Sequence, residues 1–505
     1  MKLGRLVAVV AVGGVSAVLP ASAQADPTVR HYTVHIVTLD RLGHQVSSQP
    51  TVADSAQNVI SYGSQSVRLP AGRYVVGADI ITGGQGSGPS SDTLVAKAIR
   101  VSGDATVRLD ARTGKPMSVF LNGATASHKD DLAALCDGKA INLALSDDPP
   151  GATFVAATPG SVRLFYQSNW ESAAGTFFEL AGSASVGKSA PALQGSLSSL
   201  VPVHFQLRSG ESPGRPSGIL YPVHQPGCMP YGNTIRYRTP ATLIAYMQAG
   251  SWSVDDLSGT RLEWSGRFSL GHTYTVALGS AVQGPRPKSP GGAKFPYFNT
   301  GRIAYSPGQL FSDPVIRDSG TCRASIAVTL YRGASRLTRR TLKGCNNVSV
   351  GKTVTKSGWY RLTVTGSRAT QLSDRVALNW SFYARAGVHL PDIQAVPVTL
   401  AQFDAGGLNV QNAARPGGRT RITVRLVTPV YGFSPAPANA VASARLQAST
   451  NGGRTWRDLA VSRRGSYLIA DVRNPASGFV SLRSVIVSTA GNRSTETIYH
   501  AYAVG

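Results

Sequence analysis

His31-Tyr-Thr-Val-His-Ile-Val-Thr-Leu39 places Tyr32, Val34 and Ile36 two residues apart, with polar or exposed-type side chains between them. That is the period of a half-buried strand, because successive side chains point to opposite faces of a sheet. The same pattern returns outward along the chain. Ser64–Leu69 and Gly72–Ile81 read as a strand pair across Pro70-Ala71. Leu94–Val101 and Ala105–Leu109 read as another across Ser102-Gly103-Asp104. Few stretches repeat with helical period. The best helical candidates are Lys129–Cys136 and Ala241–Met247. With 54 Gly and 30 Pro in 505 residues, the expected class is all-β, built as tandem β-sandwiches.

Met1–Ala25 precedes these strands. Lys2 and Arg5 open it, an apolar run Leu6–Leu19 follows, and Ala21-Ser-Ala23 and Ala23-Gln-Ala25 are both small-residue cleavage patterns. This is the composition of a secretory signal peptide, and the apolar run is shorter than the ~20 residues a spanning helix needs. The expected location is extracellular, with no membrane span. The remainder divides into residues 26–115, a small sandwich; 116–250, a less regular β-region; 251–394, a second sandwich; and 395–505. In the last, five strands from Thr420 to Ala503 have the spacing of an immunoglobulin- or fibronectin III-like sandwich.

Four cysteines in an exported chain point to disulfides. A two-residue turn at Gly333-Ala334 pairs Arg332 with Ser335 and, counting outward, Cys322 with Cys345. Opposed strand residues lie within disulfide reach, so Cys322–Cys345 is the expected bond. Cys136–Cys228 follows by elimination.

The formal charge is +24, and removal of Lys2 and Arg5 with the leader leaves +22. An excess of that size suits a polyanionic partner. The charges are dispersed, however. From Val396 to Gly505 every cation except histidine is Arg, a bias that a GC-rich genome produces by itself. The tightest cluster is Arg336, Arg339, Arg340 and Lys343. Simple alternation puts Arg336 and Arg340 on one strand face and Arg339 on the other, which is not a compact anion clamp. The expected partner is an extracellular protein, peptide or anionic cell-surface polymer, without specific nucleic-acid recognition.

No constellation for bond-breaking chemistry stands out. His31 and His35 share a strand face but lie ~13 Å apart, too far to hold one metal. Gly182-Ser-Ala-Ser-Val lacks the final glycine of a nucleophile elbow. Gly83–Gly88 has the glycines of a phosphate loop without the following helix or Lys-Ser/Thr. Asp130-Asp131 and Asp255-Asp256 read as acidic turns. No calcium-loop or zinc spacing occurs, so no metal or cofactor is expected. The alternative to a non-enzymatic protein is a carbohydrate-active hydrolase drawing on Glu171, Glu179, Glu263, Asp255 or Asp256. Glu171 and Glu263 adjoin Trp170 and Trp264, and two carboxylates across a cleft would be required.

Several segments resemble the non-catalytic β-domains of large secreted subtilisin-like proteins of actinobacteria. They are Leu39-Asp-Arg41 with Gly43, Leu69-Pro-Ala-Gly-Arg-Tyr74, Leu109-Asp-Ala-Arg112, Gly358–Leu362 with Trp380–Phe382, Ser449–Trp456, Asn474-Pro-Ala476, Val480-Ser-Leu-Arg483, Ala490-Gly-Asn492, Thr497-Ile498 and Ala501-Tyr502. The Gly-Thr-Ser-Met-Ala-type segment that carries the nucleophile of those proteins is missing. The resemblance therefore implies an accessory role in binding, surface attachment or spacing. Ser449-Thr-Asn451-Gly-Gly453-Arg-Thr455-Trp456 also resembles an Asp-box, with Asn451 at the Asp position. It implies a hairpin whose turn is tied by side-chain-to-backbone bonds, with Trp456 packed beneath.

Overall fold

The computed structural model describes residues 29–505 except 84–89, 139–140, 209–217, 226–227, 229–231, 238–239, 257–261, 287–296, 300, 308–309, 315–316, 319–323, 345–349, 388–393, 429, 432–433 and 436–439. Met1–Ala25, read above as a signal peptide, therefore lies outside the described residues. Strands dominate. Among the described residues the only helical segments are the 3-10 turns Ala111–Thr113 and Leu197–Ser199, and no helix is long and apolar enough to cross a membrane. The fold class is all-β, in stacked sandwiches.

His31–Leu39 alternates as expected, burying Val34 and Ile36. Its neighbours differ from the local reading. Ser66–Pro70 pairs with His31–Leu39, while Gly72–Thr82 pairs with Ser91–Val101 in another sheet. Ala105–Asp110 runs parallel to His31–Leu39 and does not fold back on Ser91–Val101. At Pro70 and at Gly103 the chain turns a corner from one layer to the other. Such corners resemble hairpins in sequence, but their strands join different sheets. The two layers enclose one core around Val34, Val52, Leu69, Val76, Ile80 and Leu109.

The two helical candidates are strands. Ser127–Asp137 sits between Ile141–Asp148 and Val162–Glu171, and Ala241–Gln248 lies between Phe177–Ala184 and Leu200–Leu207. Ser127–Asp137 is buried on both faces from Asp131 to Asp137. That removes the alternation by which a strand is recognised, and the helix preference of Leu and Ala is weak enough for sheet pairing to override. Asp130 and Asp131 accordingly lie in a strand, as do Asp255 and Asp256.

Strand pairings cross all three expected divisions. Thr153–Val155 pairs in parallel with Ser91–Val101, Tyr274–Leu278 with Leu200–Leu207, and Arg493–Val504 antiparallel with Arg375–Ala384. The last pairing matters most. It splices strands from residues 251–394 and 395–505 into one nine-stranded sheet. The inner face of that sheet carries Val328, Leu362, Trp380, Leu482 and Ile498. Two four-stranded sheets cover it, one contributing Ile303, Tyr305 and Val350 and the other Phe403, Ile422 and Leu468, in a single core.

Cys136 and Cys228 are bonded, with Cα atoms 6.0 Å apart and a sequence separation of 92. The bond ties the Ser127–Asp137 strand to the segment after Gly218–Gln225, and so joins the seven-stranded sheet to the five-stranded sheet. Cys322 and Cys345 lie outside the described residues. The register from which their pairing was argued holds at Arg332–Ser335 and Tyr331–Arg336. It then slips by one residue, so that Leu330 faces Thr338 and Ser325 faces Lys343.

Closing so long a loop restricts the unfolded chain strongly. The double substitution Cys136→Ser/Cys228→Ser should lower stability by about 2–5 kcal/mol, read as a lower urea midpoint. An unchanged midpoint would show that the bond is not formed in the protein.

Candidate functional site

The catalytic candidates come first, since burial and wiring decide them. Glu171 forms an ion pair with Lys129 at 3.4 Å. Lys129 is the extra residue of a bulge between His128 and Asp130, opposite Trp170 and Asn169. Glu263 lies in another sheet, opposite Asp255 and Arg317. Trp170 stacks on His128 at 4.0 Å, and Trp264 on Phe268 at 5.0 Å. The two tryptophans are thus engaged in local packing, and Glu171 and Glu263 belong to separate sheets.

A serine, a histidine and an aspartate do meet, unforeseen from sequence. His128 Nε2 lies 2.8 Å from Asp131 Oδ1 and 2.8 Å from Ser168 Oγ. Nucleophilic catalysis needs one imidazole nitrogen on the carboxylate and the other on the hydroxyl. Here one nitrogen serves both. Trp170 Nε1 also donates to Ser168 Oγ, at 3.0 Å, and Ser168 is fully buried. The geometry is therefore not that of a catalytic triad, and the hydroxyl is sequestered.

Glu179, the third carboxylate considered, is fully buried opposite Asn169. Asn169 Nδ2 donates to one of its oxygens and Gln167 Nε2 to the other, at 3.1 Å. Gln167 Nε2 also donates to Pro222 O at 2.6 Å, and its Oε1 accepts from His224 N at 3.3 Å. Glu179 thereby helps bind the seven-stranded sheet to the Gly218–Gln225 strand. Burial pushes its pKa up to about 8, against the opposing pull of Asn169 and Gln167. Asp130 is pushed up to about 7 by burial and by Asp147. Among the described residues no group of three or more His, Cys, Asp or Glu side chains could hold a metal.

The Asp-box-like residues form one hairpin turn. Ser449 Oγ accepts from Gly453 N at 2.9 Å, and Asn451 Oδ1 accepts from Thr455 N at 3.0 Å. Trp456 Nε1 donates to Gly453 O at 3.0 Å. Gly453 has φ +85°, and a Cβ there would stand 2.6 Å from the Tyr499 ring. The turn thus seats Trp456 beside Tyr499, with the Arg483 guanidinium 3.9 Å above Trp456 and that of Arg375 3.6 Å above Tyr499.

These stacks belong to the outer face of the nine-stranded sheet. The bulge at Leu337 reshapes that face. Tyr331 faces Arg336 and Thr329 faces Arg339, so Arg336 and Arg339 share the outer side, while Arg340 lies opposite buried Val328 on the inner side. The expected grouping of Arg336 with Arg340 is thereby corrected, because one inserted residue inverts the alternation beyond it.

Across the strands the outer residues fall into rows. Arg336, Tyr331, Arg361, Ser381 and Arg493 are successive partners in one row. Arg339, Thr329, Thr363, Asn379 and Thr495 form the next. On the other flank lie Trp359 and Tyr383, partners in register, 45% and 46% exposed. Among the described residues none of Arg336, Arg339, Arg361 and Arg493 has an ion pair. Asp458 stands at the far strand of this face, where Arg445 binds it at 2.6 and 2.8 Å. His31 and His35 lie far along the chain on their own strand, and Gly182 and Ser183 fall within the strand Phe177–Ala184. The phosphate-loop-like segment lies largely outside the described residues.

No family model matches the chain, and no curated protein does. Solved structures similar to it include the Bacillus anthracis TIE protein, with 8% identity over 68% of this chain and 70% of that one and a TM-score of 0.14. Another is Escherichia coli alpha-2-macroglobulin activated by porcine elastase, with 10% identity, 94% and 53% coverage and a TM-score of 0.16; the chain spans about half of that protein's length. A third is the FN1–FN3 domains of chicken CNTN1, with 10% identity, 57% and 90% coverage and a TM-score of 0.13. Scores this low carry no argument about site or activity.

The elevated Glu179 pKa has a stability consequence with a definite sign. The folded state holds this proton more tightly than the unfolded chain does. Its contribution is complete below the ordinary value of 4.5 and is lost as pH rises toward 8. Each pKa unit corresponds to about 1.4 kcal/mol. The Glu179→Gln protein should therefore lose less stability than wild type between pH 5 and pH 8, followed as melting temperature against pH. Parallel curves would show that Glu179 does not titrate in that range.

Proposed function

We propose that this chain is an exported, non-enzymatic, multidomain β-protein that uses the outer face of its nine-stranded sheet to bind an anionic cell-surface polymer. One observation carries the reading: Arg336, Arg339, Arg361 and Arg493 share an exposed face and have no carboxylate partner among the described residues. Cations in a folded protein are ordinarily interspersed with acids. A face of one sign attracts and concentrates a partner of the other. The Met1–Ala25 leader and the Cys136–Cys228 bond support an extracellular site of action. The resemblance to protease-associated β-domains supports an accessory role, in which the protein attaches or spaces another activity at a surface.

Hydrolysis by Glu171 and Glu263 draws no support from their placement in separate sheets. The mature chain should be retained on isolated cell envelope at low salt. It should be released near 1 M salt, where the screening length shrinks to about 3 Å. Flow-through at low salt would overturn the binding reading, and retention undiminished at high salt would overturn its electrostatic basis.

A further inference from the structure

The basic row has a period, and the period suggests what it reads. Arg336, Arg361 and Arg493 are separated by Tyr331 and Ser381, so each arginine stands two strands from the next. Adjacent strands lie about 4.8 Å apart, which sets the Cα atoms of neighbouring arginines roughly 9.5 Å apart along the row. The sheet is hydrogen-bonded throughout this span, so the spacing is built into the backbone. Arg361 is steadied further by its stack on Tyr331, at 4.5 Å.

The flanks are of different chemistry. Thr363, Asn379 and Thr495 offer hydroxyl and amide groups on one side. On the other, Trp359 and Tyr383 meet edge to face at 6.0 Å, nearly half exposed. Exposed aromatic faces stack against sugar rings, hydroxyl and amide groups bond to sugar hydroxyls, and the guanidinium fork fits a carboxylate through two parallel bonds.

We propose that this row binds an extended acidic polysaccharide, laid across the strands, that carries one carboxylate per disaccharide. Each carboxylate meets one of Arg336, Arg361 and Arg493, and the intervening neutral sugar lies over Tyr331 or Ser381. A disaccharide in an extended chain is comparable in length to two strand spacings. Duplex nucleic acid fits less well. Each of its strands presents a phosphate about every 3.4 Å of helix axis, so most would pass between the cations unmatched. This inference rests on the binding reading above and specifies its ligand.

The test uses the full mature chain and hyaluronan, whose carboxylates alternate with neutral sugars. Immobilised hyaluronan should bind the wild type, and its carboxyl-methylated form should not. Arg336→Ala/Arg361→Ala/Arg493→Ala should weaken binding at least tenfold, and Trp359→Ala should weaken it several-fold. Arg463→Ala/Arg464→Ala/Arg473→Ala removes equal charge from exposed positions elsewhere and should leave binding within twofold. An unchanged melting temperature certifies each variant as folded.

Equal losses in the two triple variants would overturn the proposal, since net charge would then explain binding. Equal binding of the methylated polymer, or tighter binding of duplex DNA, would overturn it as well. Retention on cell envelope without binding to hyaluronan would refute this ligand class and leave the broader reading standing. Loss of both would refute the two together.

Discussion

The antiparallel pairing of Arg375–Ser381 with Arg493–Tyr499 is the constraint on which the second half of the molecule depends. It joins two sandwiches edge to edge, so that neither has a free edge at the seam. Unpaired strand edges are sites of unwanted association, and here each edge satisfies the other. The join also merges two cores. Trp380, fully buried on one side of the seam, and Ile498, on the other, belong to the same apolar cluster. A face wide enough for a row of arginines exists because the sheet does not stop at the sandwich boundary.

Polar interiors do comparable work in the first half. Gln167, bonded to the carboxyl of Glu179 that Asn169 also binds, reaches from the seven-stranded sheet to the backbone of the Gly218–Gln225 strand, and the Cys136–Cys228 bond spans the same junction. His128, Asp131, Ser168 and Trp170 satisfy one another within the seven-stranded sheet. Buried polar groups are tolerated when every member has a partner. These residue types are familiar from active sites, but their geometry here differs: the serine is buried and the histidine offers a single nitrogen to two partners.

Much of this architecture was legible in the residues. Alternation in His31–Leu39 marked a strand, and Gly333-Ala334 marked a turn whose first two pairs are as expected. The hairpin of Ser449 to Trp456 could be read because its bonds are local. What escaped is non-local or one residue wide. Parallel pairings such as Thr153–Val155 with Ser91–Val101 leave no mark at either strand. Ser127–Asp137 imitated a helix because both of its faces are buried. The basic row stayed hidden because the bulge at Leu337 inverts the alternation by which Arg339 was assigned, and because Arg336, Arg361 and Arg493 come together only through long-range register.

The strand Ser335–Lys343 lies at the end of the nine-stranded sheet, and its residues are half-buried or exposed. Arginine on such an edge repels a second copy approaching strand to strand, because like charges would be brought into register. Arg336 and Arg339 therefore guard the molecule against self-polymerisation as well as facing outward. A drift toward neutral residues at these two positions would remove that repulsion.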